Sequence, residues 1–161
     1  MLLSLVVCST VSCSNEDEDY MIWDFAPIVL RVSVQDAAGN DLLDPATENS
    51  IAHSGIKAIY KENIYEKDSV IDRGARYYLA HFYGLYSYKP EKGNYILTFG
   101  EFNGDDTFKN ETVILDWNDG TKDIISFDSQ LIWLSKNKPK IIRTFYLNGK
   151  ETENPMTIIK N

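Results

Sequence analysis

Apolar and polar positions alternate with a period of two along much of this chain. Over residues 27–35, Ile28, Leu30, Val32 and Val34 fall on one side, and Val29, Arg31, Ser33 and Gln35 on the other. Successive side chains of an extended chain point to opposite faces, so the spacing predicts a half-buried strand. It ends in the turn formers Asp36-Ala37-Ala38-Gly39-Asn40. Residues 56–61 and 63–66 read as short strands joined near Glu62-Asn63, and residues 95–102 alternate until Asn103-Gly104-Asp105. Residues 111–117 and 122–127 flank Asn118-Asp119-Gly120. An Asp-Gly pair between two alternating runs predicts a hairpin, because tight hairpin turns need positive φ. Residues 131–135 and 140–147 flank a further turn at Asn137-Lys138-Pro139, and Asn148-Gly149 sends the chain toward a last strand at 156–160. No helical period is sustained. Residues 75–83, where Tyr78, Leu79 and Phe82 share a face, allow one short helix. Eight or nine short strands at this spacing predict an all-β protein, an antiparallel β-sandwich of Ig-like or transthyretin-like kind, formed by one domain over residues 23–161.

The first 13 residues do not fit that domain. The run Leu2-Leu3-Ser4-Leu5-Val6-Val7 is too short to span a bilayer, which needs about 20 apolar residues, and has the length of a signal-peptide core. Small residues Val11-Ser12 and then Cys13 resemble the lipobox of bacterial lipoproteins, so residues 1–13 are expected to be a signal ending at the lipidated Cys13. No basic residue precedes Leu2, which places the expected true start upstream of Met1. Ser14-Asn15-Glu16-Asp17-Glu18-Asp19 has no apolar residue and four adjacent acids, a composition that cannot build a core. It resembles the acidic export signal of Bacteroidota surface lipoproteins, and residues 14–22 are read as a disordered tether. Together with Trp23-Asp24 and the stretch Gly39-Asn40-Asp41-Leu42-Leu43-Asp44-Pro45, these segments resemble the small surface lipoproteins of gut Bacteroidota. The resemblance implies an outer-membrane, surface-exposed location held by lipid on Cys13. It implies no activity and carries no catalytic residue.

Composition narrows the chemistry. The formal charge is −8, and four of the 24 acids sit in the tether, so the folded part is only mildly acidic. No basic stripe suited to phosphates is apparent, and nucleic acid is not an expected partner. The two Cys are Cys8, in the signal, and Cys13, so the mature domain is expected to have no disulfide and no thiolate site. His53 and His81 are too few for zinc, and the neighbours His53 and Ser54 point to opposite sides of an extended chain. Asp36, Asp41 and Asp44 offer hard oxygens to calcium but lack EF-hand spacing. Asx side chains in turns usually bind their own backbone, so no metal or cofactor is assigned.

Two surface features remain. Tyr77, Tyr78, Tyr83, Tyr86 and Tyr88 crowd into twelve residues and would stack on sugar rings if their faces were open. Asp68-Ser69-Val70 resembles the Bacteroidota acceptor for O-glycosylation at Ser69. The expected protein is therefore a non-enzymatic, lipid-anchored surface module with a binding or accessory role toward a glycan or protein partner. The alternative is a glycan-binding module built on the tyrosine cluster.

Overall fold

The structure, a computed structural model, describes residues 23–68 and 84–160. Ten strands and no helix occur among them: β1 (Ile28–Asp36), β2 (Lys57–Tyr60), β3 (Asn63–Glu66), β4 (Leu85–Tyr88), β5 (Ile96–Phe102), β6 (Phe108–Asp116), β7 (Lys122–Ser135), β8 (Lys138–Leu147), β9 (Lys150–Thr152) and β10 (Met156–Lys160). They form two sheets, one in the order β10-β1-β5-β4 and the other β3-β2-β6-β7-β8-β9. The predicted inner face of β1 is buried throughout, at Ile28, Leu30, Val32 and Val34. These residues meet Val113 and Leu115 of β6 and Ile125 and Phe127 of β7 in one core. Edge-to-face aromatics join the sheets: Phe102 of β5 lies 4.9 Å from Phe127 and 5.4 Å from Tyr60. Such geometry matches the positive ring edge to a negative ring face. The all-β sandwich predicted from the alternation is the fold.

Several details differ from the sequence reading. β1 and β10 run parallel, with Val32 beside Met156 and Val34 beside Ile158. Alternation reports burial and carries no information on strand direction, and the chain changes sheets between β9 and β10. Asn154 makes that transfer. Its side chain accepts from Arg31 N at 2.9 Å and donates to Val29 O at 2.8 Å, filling the β1 edge before β10 begins. β4 and β9, of four and three residues, are too short to show a period. The segments expected at 122–127 and 131–135 are one strand of 14 residues. Buried Ser129 occupies an inward position between them and interrupts the apolar series without interrupting the strand.

Three turns shift as well. At the β7–β8 turn, Lys138 and Pro139, expected in the turn, already belong to β8, leaving Lys136 and Asn137 to make it. The β2–β3 turn sits on Lys61 and Glu62, with φ of 46° and 68°, one residue earlier than expected. In the β6–β7 loop the positive φ values belong to Asn118 (59°) and Gly120 (88°) rather than to Asp119 and Gly120. A Cβ on Gly120 would meet no atom within 4 Å, so only the backbone requires glycine there.

That loop closes one end of the sandwich. Trp117 is fully buried, and its Nε1 donates to Asp123 Oδ2 at 2.7 Å. Ser54 Oγ donates to Trp117 O, and Asn118 Nδ2 donates to Ser54 O. Lys160, the end of β10, donates to Asp119 and Thr121 and lies over the Trp117 ring.

Candidate functional site

The opposite end is open, and strand lengths make it so. β6 pairs with β7 only as far as Phe108 beside Ser129, and β9 covers β8 only from Phe145 to Leu147. Beyond those limits β7 and β8 have only each other. Residues 130–135 and 138–144 thus form a two-stranded ribbon that extends past the sandwich. Pro139 fits because that flank of β8 pairs with no other strand, so the missing N–H removes no ladder bond.

The ribbon keeps the period of the core strands after the core has ended. Leu131, Trp133, Pro139 and Ile141 continue the inner face, while Ile132 and Ile142 lie on the outer one. Trp133, Leu134 and Ile142 are 51%, 56% and 46% exposed. The residues that open the described chain fold back under this ribbon. Trp23, 38% exposed, meets Trp133 edge-on at 6.0 Å and stacks on Phe25 at 6.5 Å. Arg143 Nη2 fastens the segment by donating to Ala26 O at 2.7 Å and Gly104 O at 3.2 Å. Gly104 permits the approach, since a Cβ there would sit 2.3 Å from Ala26 O. The result is an open aromatic face on Trp23, Phe25 and Trp133, beside a tip carrying Lys136, Lys138 and Lys140, all exposed.

Among the tyrosines singled out from sequence, Tyr86 and Tyr88 alternate with inward Leu85 and Ser87 on β4. They share the outer face of their sheet and are 42% and 40% exposed. Tyr77, Tyr78 and Tyr83, the glycosylation candidate Ser69, the lipidation candidate Cys13 and the helix considered at 75–83 lie outside the described residues.

The carboxylates weighed for calcium serve the backbone. Asp36 accepts from the N–H of Ala38 and Asn40, Asp41 from Leu43 and Tyr95, and Asp44 from Ala46 and Lys89 Nζ. Hydrogen bonds from Asn40 lower the Asp36 carboxyl, and the Ala46 N–H followed by Lys89 lowers that of Asp44. No group of three or more potential ligands gathers among the described residues. His53 is exposed, and the Ser54 hydroxyl is engaged with Trp117 O.

Sequence reasoning also missed a polar hollow of about 270 Å³ lined by Lys109, Asn110, Ser126, Asp128 and Tyr146. It opens where a bulge between Phe108 and Glu111 puts Asn110 at φ 48°. Asn110 N donates to Asp128 at 2.6 Å. Desolvation, then the charges of Asp128 and Glu151, raises the Tyr146 phenol above its ordinary value. Nothing in the alternation of these strands marks that bulge.

The fold and its open end define an all-β sandwich bearing an aromatic ribbon. No protein family matches the chain, and no curated protein or solved structure is significantly similar to it.

Proposed function

We propose that this protein is a lipid-anchored, surface-exposed module of the bacterial outer membrane that works by binding, in an accessory role, rather than by catalysis. The observation that carries the reading is a juxtaposition. The open aromatic face begins at Trp23, ten residues after Cys13, and only the acidic tether separates them. Exposed contiguous aromatic and aliphatic side chains mark interaction surfaces. The groups that resemble catalytic parts have structural employment: Ser54 holds the Trp117 loop, and the Asp36, Asp41 and Asp44 carboxylates hold turns.

Metabolic labelling with a fatty-acid analogue tests the anchor. Wild-type chain should incorporate the label and sediment with membranes, and Cys13→Ala should do neither. Equal labelling of the two removes the anchor from the proposal. Protease shaving of intact cells should digest the wild-type protein, whereas protection would place it on the inner side of the membrane.

A second reading, glycan binding, is favoured by Tyr86 and Tyr88. Two exposed tyrosines two residues apart on one strand face stand about 7 Å apart, close enough to contact successive parts of one sugar chain. A glycan array should then give hits that Tyr86→Ala and Tyr88→Ala abolish. Hits that persist in both variants exclude this face.

A further inference from the structure

We infer that the β7–β8 ribbon is a second membrane contact, which seats Trp133, Leu134 and Ile142 at the headgroup boundary of an anionic bilayer. This rests on the proposed lipid anchor only for bringing the ribbon near the membrane; the contact itself needs no acyl chain.

Three observations favour lipid as the occupant. The first is shape. Trp133 and Ile142 project from opposite faces of a ribbon that no other strand flanks. The bilayer interface surrounds both at once, and Trp is favoured at that depth.

The second is charge. No Asp or Glu occurs between Asp128 and Glu151, although the chain carries −8 overall. That span holds Lys136, Lys138, Lys140, Arg143 and Lys150, with the first three at the tip. Asp24, Asp105 and Asp106 are exposed acids outside that span. The arrangement favours tip-first approach to negative headgroups, each lysine strengthening partition on the order of fivefold.

The third is reach. Trp23 touches Trp133, and Cys13 is ten residues upstream. An extended chain of that length spans about 35 Å at most. An acyl group at Cys13 would hold the ribbon within that distance of the bilayer, so a weak contact becomes effectively intramolecular.

The test uses the full chain as Cys13→Ser, which carries no acyl group. It is mixed with vesicles of equal parts phosphatidylglycerol and phosphatidylcholine, and with vesicles of phosphatidylcholine alone. The expected result is partition into the anionic vesicles that weakens with added salt, with tryptophan emission quenched by brominated acyl chains. Trp117 is buried in the closed end, so the quenching reads Trp133 and Trp23. Trp133→Ser with Leu134→Ser should lower partition at least tenfold. Lys136→Gln, Lys138→Gln and Lys140→Gln combined should lower it about a hundredfold. Circular dichroism identifies any variant that has lost its fold, and the lysine variants, altered only at exposed positions, then decide. Partition unchanged in both sets of variants, equal partition into neutral vesicles, or no partition at all overturns the inference. Any of these would leave the acyl anchor, tested separately by labelling, untouched.

Discussion

Asp119 shows how one side chain couples the two sheets. It accepts hydrogen bonds from Lys160 Nζ of β10, at 2.5 Å, and from the Thr121 side chain and N–H in its own loop. Lys160, followed by Thr121, lowers its carboxyl to about 2. A carboxyl whose pKa falls on folding adds stability above its unfolded value, near 3.8, and loses it as pH drops toward the folded value. Asp119→Asn should therefore be less stable than the parent at pH 5, with the gap closing between pH of roughly 4 and 2. Melting temperatures across that range check this, and a gap that stays constant down to pH 2 contradicts it. Residue types announced part of this chemistry. Asp and Asn beside Gly predicted turns, and their side chains do cap backbone N–H groups at Asp36, Asp41, Asp44 and Asp119. Which distant cation meets Asp119 was not legible, because 41 residues separate it from Lys160 and only the sheet order brings them together.

At the scale of elements, the ribbon depends on the segment folded beneath it. A two-stranded hairpin is marginal by itself. Here Trp23, stacked on Phe25, lies against it, and Arg143 ties Ala26 and Gly104 into the same joint. Arg143→Met retains an apolar stem but leaves two carbonyls without their charged donor. It should cost about 2 kcal/mol. It should also change tryptophan emission as the Trp23–Trp133 contact loosens. Urea unfolding followed by fluorescence measures both, and a native spectrum and midpoint equal to the parent's would show that Arg143 does not hold the joint. The strands of the ribbon are readable in sequence as apolar runs. Their meeting with Trp23 is not. Exposure of Trp133 arises because β6 begins pairing only at Phe108, a boundary that the alternation misplaced by three residues.

For the whole molecule, β10 is the element most remote in sequence from what it completes. It contributes buried Met156 and Ile158, adds an edge to β1, and ends in Lys160 above Trp117. Burying each apolar side chain contributes about 1.5–3 kcal/mol, against a total of about 5–15 kcal/mol for a typical domain. A chain ending at Pro155 should therefore lose its cooperative unfolding transition. Circular dichroism in urea checks this, and a sigmoidal transition near the parent's midpoint would show that the sandwich closes without β10. The sequence by itself determined the class of fold, because period-two burial is a local property of an extended chain. It also set the inner face of β1 and the loops rich in Asp, Asn and Gly. Only the tertiary structure decided that β1 and β10 run parallel, that Asn154 bridges the sheets, and that one hairpin outruns its neighbours. Each of these depends on where distant strands begin and end beside one another. The same alternation that buries Phe127 leaves Trp133 in the open, six residues farther along β7, because the covering strands have stopped.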